Sequence, residues 1–479
     1  MALSCESVKC DDDLIDLFVP YLHCIRSSWE PDRSDRNSLK SKSCRTSRKQ
    51  GQIVIVLYNM VMLIGIVLAL PVIFAKILTS EKRRKTLVRR FRPDVCIRAS
   101  RTRPIWVHAL SVGEVLASIP LVRELRKTHA HWPVVVSVST LTGYEIAKRT
   151  LEGHVDQIFF FPYDLVWSMR IIIRSIHPAV FILVESDIWP NCVNEMKRKH
   201  IPFVLVNGRV SPRSFSGYGC LSFFMRHVFS NVSSICTQTD MDAKRFVAIG
   251  APTEKIHITG NMKFDQTPVF MSGEEIRKMR ASLGITPAAK VVVAGSTHEG
   301  EEAMLSRCFQ VLKRNFPDLL LVLVPRDPAR AKRIQEMLSQ NGCLALLRTQ
   351  SPRIDVGPVP EVIIVDTMGE LRRLYAIADV VFVGKSLVDL GGQNPLEPAA
   401  VRKPILFGPY MFNFESIAGQ LVQQGGASLV ANEADLLDQL DALLADVGKC
   451  EAMGMEAYRV FKRNRGAVDK TLKVIEGFL

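Results

Sequence analysis

An α/β fold of two doubly wound, largely parallel domains behind an apolar N-terminal helix is predicted from patterns in the sequence. Beyond residue 104, short β-rich apolar runs alternate with helical patterns, which is typical of parallel sheets covered by helices on both faces. The alternation occurs twice, in series that begin at Ile105–Ala109 and at Val291–Ala294. The stretch Gly260–Thr286 between them is irregular and rich in turn residues. We interpret it as a linker and expect two Rossmann-like domains that face a cleft.

The N-terminal helix is predicted from the run Ile53–Leu78, which carries no charge before Lys76. The run is long enough to span a bilayer as a helix. A secretory signal peptide fits less well, because the run is too long and a basic cluster follows it instead of a small-residue cleavage site. We therefore predict a transmembrane anchor at 53–78, behind a polar leader at 1–50.

Much of the positive charge of the 479-residue chain lies directly after this run. From Lys76 to Arg103 there are eleven Lys or Arg against two acids, a net charge of +9 out of +14 for the chain. Because an apolar helix is adjacent, we expect the cluster to contact anionic lipid head groups and not nucleic acid. The prediction is a basic membrane-proximal segment at 79–103, with the body of the protein on the cytoplasmic side.

Two absences in the sequence exclude function classes. The eleven cysteines are scattered and form no CxxC pair, which argues against a disulfide framework and against a zinc site. No GxGxxG motif follows a predicted strand, which argues against a nicotinamide-dependent dehydrogenase.

The segment Ile105–Ile119 predicts a strand, a Ser-Val-Gly-Glu turn and a helix. This places Glu114 at the carboxyl end of a strand, where open α/β sheets bind ligands. A carboxylate there can act as a general base. The alternative is a helix-start glutamate that the helix dipole favours, and this stretch alone leaves both open.

In the second series, Gly295–Thr297 presents small residues and backbone N–H groups at a predicted helix start, either as a phosphate site or as a simple helix cap. Arg326 follows a strand, where its guanidinium can reach a phosphate or a nucleobase, or form a surface ion pair. Met368–Glu370 is predicted in the first turn of a helix. Gly391–Glu397 predicts a flexible loop and a helix that begins near Pro395, with a carboxylate in its first turn.

Seven motifs together are more specific than any one of them. In chain order they are SVGE (111–114), ESDIWP (185–190), NGRVS (207–211), GNMKFD (260–265), VPRDP (324–328), DTMGEL (366–371) and GGQNPLEPA (391–399). With these motifs, residues 55–475 resemble the bacterial 3-deoxy-D-manno-octulosonic acid (Kdo) transferases of lipopolysaccharide synthesis.

The resemblance implies a GT-B glycosyltransferase fold, with an acceptor domain at 104–265 and a donor domain at 266–479. It implies transfer of Kdo from CMP-Kdo to a lipid A precursor (lipid IVA) without a metal or cofactor. The location that it implies is the bacterial inner membrane, with membrane lipids as further partners.

The resemblance also implies roles for single residues. Glu114 is the expected general base of an inverting displacement, Glu185 has an accessory catalytic role, and Lys263 offsets negative charge on the donor and the leaving phosphate. The predicted donor-binding residues are Ser296, Thr297, Pro325, Arg326, Met368, Gly369, Glu370, Gly392, Asn394, Pro395, Leu396 and Glu397.

Two rival functions stay open. One is a GT-B glycosyltransferase that uses a UDP-sugar and another lipid acceptor, which is disfavoured by the cytidine-type segment Met368–Glu370 that the resemblance implies. The other is a membrane-tethered sugar-nucleotide-binding protein without catalysis, which would bind the donor but release no CMP.

Overall fold

The described part of the computed structural model divides into two compact units, one within 1–266 and 466–479 and the other within 267–465. The described residues are 55–71, 89–90, 95, 102–185, 188–211, 214–215, 217–218, 222–265, 271–350 and 360–479.

The first unit is built on a parallel sheet with helices on both faces. Within the described residues the sheet has seven strands in the order β3-β2-β1-β4-β5-β6-β7. The strands are β1 (Ile105–His108), β2 (Val134–Val138), β3 (Gln157–Phe160), β4 (Val180–Val184), β5 (Phe203–Gly208), β6 (Ser234–Thr237) and β7 (Ile256–Ile258). The helices between them are α1 (Val112–Thr128), α2 (Leu141–Leu151), α3 (Val166–Ile176), α4 (Pro190–Arg198), α5 (Ser222–Asn231) and α6 (Asp240–Ala248).

The central strands are apolar on both faces, as expected for a sheet that helices cover on each side. On one face Trp106, Phe181 and Phe203 lie side by side in register. The alternate positions, such as Val107 and Ile182, enter a second cluster on the other face. The near-continuous apolar runs in the sequence are therefore explained by burial on both sides.

The second unit repeats this architecture. Within the described residues its sheet has seven parallel strands in the order β10-β11-β9-β8-β12-β13-β14. They are β8 (Val291–Thr297), β9 (Leu320–Pro325), β10 (Ala345–Leu347), β11 (Val362–Ile364), β12 (Val380–Val383), β13 (Ile405–Phe407) and β14 (Ala427–Leu429). The helices are α7 (Gly273–Ser282), α8 (Glu301–Leu312), α9 (Ala331–Gln340), α10 (Leu371–Ile377), α11 (Leu396–Ala400), α12 (Glu415–Gln423), α13 (Glu433–Ala445) and α14 (Val447–Arg463).

Each sheet has one point where the strand order reverses. In the first sheet the chain builds β2 and β3 on one side of β1 and then crosses to β4 on the other side. In the second sheet the corresponding reversal lies between β8 and β12. Loops at the carboxyl ends of the strands beside such a reversal are where open α/β sheets bind ligands.

The last helix, α15 (Ala467–Glu476), belongs to the first compact unit, whereas the sequence analysis places it in the donor domain at 266–479. The Asp265 carboxylate accepts N–H bonds from Gly466 and Val468 at the start of this helix, each at 2.6 Å. Ile475 is fully buried in the first unit's core. The amphipathic pattern of the helix predicts a buried face but not which sheet covers it.

The described part of the predicted anchor, 55–71, is helical, while the rest of 53–78 lies outside the described residues, as does the leader 1–50. No helix in the described parts of the chain has both the length and the apolar character to cross a bilayer.

Helix 55–71 contacts the rest of the first unit through polar side chains. The Tyr58 hydroxyl donates to the Asp164 carboxylate at 3.1 Å, and the amides of Asn59 and Asn191 exchange two hydrogen bonds of 2.9 Å. Arg90, which belongs to the predicted basic segment 79–103, forms a hydrogen bond to the folded body of the protein. Its Nε donates to the Phe161 carbonyl at 2.9 Å.

Candidate active site

Glu114 lies in the first turn of α1, where the loop after β1 ends. The side chain is buried, and its Oε2 accepts the Leu110 N–H at 2.6 Å while Oε1 lies 3.3 Å from the Ser111 hydroxyl. The bond at Oε1 is long for one between two oxygens. These bonds hold the carboxylate against the loop that follows β1.

Glu185 directly follows β4, the strand that pairs with β1, so it lies at the same edge of the sheet as the Glu114 turn. Its Oε1 forms an ion pair with Lys263 Nζ at 3.1 Å, and both side chains are mostly buried. Lys263 comes from a short 3-10 turn, Met262–Asp265. The structure therefore brings together two of the three predicted catalytic residues. Asp187 of the same motif as Glu185 lies outside the described residues.

Glu185 and Asn207 both adopt the left-handed backbone conformation, with φ of +65° and +55°. They follow Val184 and Val206, which are paired in register on β4 and β5, so the two residues are neighbours at the strand ends. Such a conformation costs about 1–3 kcal/mol for a residue with a side chain, and it concentrates at functional sites. Asn207 was not predicted as a site residue. Its positive φ could not be read from the sequence.

In the second unit, Ser296 and Thr297 are the last residues of β8 and do not start a helix, which corrects the predicted placement. The register to β9 shifts between Gly295 and Thr297, and Ser296 has φ +56°. Helix α8 begins only at Glu301. The Thr297 hydroxyl is buried and has no hydrogen-bond partner within the described residues.

Glu301 is a residue whose importance the sequence analysis missed. It is fully buried, and its carboxylate accepts four backbone N–H groups. Oε2 accepts from His298 at 2.8 Å and from Lys385 at 2.7 Å, and Oε1 accepts from Ser386 at 2.9 Å and from Leu387 at 3.0 Å. This one side chain ties the loop after β8 to the loop after β12, the two strands at the reversal. In the sequence it fits only as an acid that follows a Ser296 or Thr297 helix cap.

The two predicted donor-binding carboxylates are each held by an arginine. Arg348 Nε lies 3.4 Å from Glu370, and Arg372 Nε donates to Glu397 at 3.0 Å. Arg348 and Arg372 were not predicted as site residues. Met368 is exposed, and the segment Met368–Glu370 precedes α10, which begins at Leu371, instead of forming its first turn.

The loop before α11 has the predicted form. Gly391 and Gly392 have φ of +95° and +73°, a backbone conformation that strains any residue with a side chain, so glycine is favoured at both positions. The Asn394 side chain accepts the N–H of Leu396 at 3.1 Å, and Pro395 precedes the helix. The other predicted donor loop has Pro325 as the buried last residue of β9 and Arg326 exposed directly after it.

His298 lies beside these loops, and its Nδ1 is 3.1 Å from the Ser296 carbonyl oxygen. Burial lowers the pKa of His298, and the charges of Lys385 and Arg330 lower it further. Arg330 itself donates to the Glu302 carboxylate at 3.0 Å and 3.2 Å, so part of its charge is already neutralised.

Comparison with known proteins places this geometry in a family. The family model described as 3-deoxy-D-manno-octulosonic-acid transferase matches residues 82–266. A 3-deoxy-D-manno-octulosonic acid transferase of Haemophilus influenzae is 35% identical over 377 residues, which cover 78% of this chain and 87% of the relative. The chain belongs to the Kdo transferase family. A Bordetella pertussis protein of the same description is 32% identical, with 78% of this chain and 87% of that protein covered.

Solved structures support the fold. The UDP-GlcNAc 2-epimerase of Neisseria meningitidis matches with a TM-score of 0.54 at 14% identity, over 78% of this chain and 99% of that chain. A glycosyltransferase of Rickettsia africae matches with a TM-score of 0.55 at 13% identity, over 79% and 98%. The two Rossmann-like sheets of a GT-B or epimerase-like protein are therefore confirmed. Its family membership makes this chain a glycosyltransferase.

Proposed function

We propose that this chain transfers Kdo from CMP-Kdo to a lipid A precursor, with inversion at the anomeric carbon. The observation that carries the proposal is the position of the predicted residues. Glu114 and Glu185 lie at the strand reversal of the first sheet, and Ser296, Thr297 and Gly392 at that of the second. Family membership adds the substrate class.

In the proposed reaction the Glu114 carboxylate takes the proton of an acceptor hydroxyl. The hydroxyl oxygen forms a bond to the anomeric carbon of Kdo, while the bond from that carbon to the phosphate oxygen breaks and CMP leaves. The bond from the Leu110 N–H to Oε2, at 2.6 Å, holds the carboxylate in place for this role. General base catalysis of this kind contributes about 10²–10⁴-fold in rate.

The reaction also requires stabilisation of the negative charge on the donor and on the leaving phosphate. We assign Lys263 to the developing negative charge, with Glu185 holding the ammonium in place. In the second unit, the backbone N–H groups near Ser296 and Gly392 are the proposed phosphate ligands, and Glu397 is the proposed acceptor for the ribose hydroxyls. Electrostatic stabilisation of this type is often the largest single contribution to catalysis.

Membrane attachment through 53–78 is part of the proposal, and the surface of helix 55–71 supports it. While Tyr58 and Asn59 bond the rest of the first unit, most large apolar side chains of this helix are exposed, as are Trp167, Ile171 and Phe223. On the helix the exposed residues are Val56, Leu57, Met60, Val61, Leu63, Ile64, Val67, Leu68 and Leu70. Exposed apolar surface of this extent marks an interaction site. Extraction of membranes with alkaline carbonate should leave the chain in the pellet, and release into the supernatant would contradict the anchor.

The transfer itself is tested with the detergent-solubilised full chain, CMP-Kdo and tetraacyl lipid IVA. We expect CMP release that depends on the acceptor, together with a product mass that increases by whole Kdo units. CMP release without a mass gain would indicate donor hydrolysis. Binding of CMP-Kdo without any release would favour the non-catalytic alternative, and release of UDP from a UDP-sugar would favour the other glycosyltransferase.

A further inference from the structure

The side chain of Asn207 is fully buried at the carboxyl end of β5 and is bonded on one edge only. Its Oδ1 accepts the N–H of Met262 at 3.0 Å. Because a backbone N–H can donate only to an oxygen, this bond fixes which end of the amide faces the 3-10 turn Met262–Asp265. The Nδ2 group on the other edge is buried and has no hydrogen-bond partner within the described residues.

A buried amide NH2 group without a hydrogen-bond partner is uncommon in a native protein, because nothing then compensates the cost of its desolvation. The neighbours of Asn207 show where such a donor would be used. Glu185 is beside it at the end of β4, and the residue after Met262 is Lys263, whose ammonium pairs with Glu185. One side chain thus contacts the segment that supplies the lysine and lies next to the residue that supplies the carboxylate.

We infer that Asn207 has two roles at this strand end. Its Oδ1 holds the lysine-bearing turn against β5 and so positions the Glu185–Lys263 pair, and its Nδ2 donates to an oxygen of the bound substrate. This inference rests on the proposed function, because it assigns Glu185 and Lys263 to the transfer reaction. A structural role for Asn207 would be complete with the Met262 bond. It would leave the buried Nδ2 unexplained.

The test uses the full chain in detergent and compares Asn207→Ala, Asn207→Ser and Asn207→Asp with the unchanged protein. For the first two variants we expect kcat for CMP release to fall about tenfold or more, with KM for CMP-Kdo within about twofold, because the donor loops of the second unit are untouched. Ser234→Ala is the control. It removes a buried hydroxyl at the amino end of β6, away from the carboxyl ends of the strands where Asn207 lies, and should leave kcat unchanged.

Asn207→Asp separates positioning from folding. Aspartate retains an oxygen for the Met262 N–H, but it replaces the amide donor with a second carboxylate oxygen beside Glu185. A like charge disfavours the ionised form of its neighbour, so the acid limb of the kcat profile should move to higher pH. A purely structural residue would not move this limb.

The inference is overturned if Asn207→Ala and Asn207→Ser keep the kcat of the unchanged protein. It is equally overturned if all three variants lose activity only in proportion to lost folded protein and the Asn207→Asp profile stays in place. Failure of the unchanged protein to release CMP would overturn the proposed function instead, so the two failures are distinguishable.

Discussion

The two units have the same kind of sheet with a strand reversal at the same place, yet they prepare that place differently. In the first unit the reversal is lined by charged side chains, with Glu114 in a turn and Glu185 paired to Lys263. In the second unit it is lined mainly by backbone, and the buried Glu301 organises that backbone through four N–H bonds. One edge suits proton transfer and charge stabilisation, and the other suits a phosphate.

The two units thus separate two kinds of carboxylate: one that takes part in the reaction, and one that holds the binding loops in place. Removal of a reactive carboxylate should affect turnover and leave binding intact. Removal of a supporting carboxylate should affect binding first, because the loops that it holds carry the proposed phosphate ligands. Substitutions in the two units should therefore give opposite patterns of kcat and Kd.

The largest effect is expected at Glu114. Glutamine keeps the size of the side chain and an oxygen for the Leu110 N–H, but it cannot accept a proton at neutral pH. Glu114→Gln should lower kcat for CMP release by about 10²–10⁴-fold while calorimetry shows an unchanged Kd for CMP. Glu124→Gln on the same helix, where the side chain is solvent-accessible and pairs with Lys127, is the matched control. A Glu114→Gln enzyme within about threefold of the unchanged protein would remove Glu114 from the base role.

Next in size is the ion pair of the first unit. Glu185→Gln and Lys263→Met should each lower kcat/KM by about 10–100-fold. Since each side chain holds the other, the double variant should lose little more than the worse single one, and a double-mutant cycle measures this coupling. Losses that simply multiply in the double variant would show that the two residues act independently.

Several features of the two units could be predicted from the sequence. Alternating apolar and helical patterns are sufficient for two parallel sheets, and the strand–turn–helix pattern around Glu114 places its carboxylate correctly. The glycines at 391–392 stand where the structure needs positive φ. In all these cases the information is local, within one turn or one strand end.

The features that the sequence analysis missed depend on contacts between distant segments. Three of the four bonds of Glu301 come from residues more than eighty positions away, and Arg348 meets Glu370 only because β10 and β11 are neighbours. The membership of α15 in the first unit is decided by Asp265, some two hundred residues earlier. The start of α8 was misplaced because the bulge at Ser296 extends β8, and no residue type there indicates a bulge.

Glu301→Gln should have a smaller effect than the first-unit variants, and on binding instead of turnover. One of its two oxygens becomes an NH2 group that faces backbone N–H donors, so the loops after β8 and β12 lose part of their anchor. We expect Kd for CMP to rise about tenfold, equivalent to about 1.4 kcal/mol, with kcat at saturating donor less affected.

A control for Glu301→Gln lies at the opposite edge of the second sheet, where the Asp379 carboxylate accepts the Val291 N–H at 2.7 Å. Asp379→Asn should lower the melting temperature without changing Kd for CMP. If both variants lower only the melting temperature, Glu301 supports the fold alone and the contrast between the units disappears.

The smallest effect is a pH dependence within the first unit. Burial raises the pKa of Asp164 from 3.8 to about 7, and burial lowers the pKa of His108 from 6.5 to about 3. The stability from Asp164 is full below pH 4 and is lost as pH rises to about 7. The stability from His108 is full above pH 6.5 and is lost as pH falls to about 3. Between pH 4 and 6.5 the two slopes therefore oppose each other.

Substitution of either residue should expose the slope of the other. The melting temperature of Asp164→Asn should rise by a few degrees between pH 4.5 and 6.5, because only the His108 slope remains, whereas that of His108→Asn should fall over the same interval. Thermal unfolding in detergent at several pH values measures both trends against the flatter profile of the unchanged protein. Parallel profiles for all three proteins would show that neither buried group titrates as its surroundings require. Opposite slopes would show that the pH dependences of the buried Asp164 and the buried His108 cancel in the unchanged protein. Glu301→Gln, in the second unit, should leave this flat pH profile of the melting temperature unchanged.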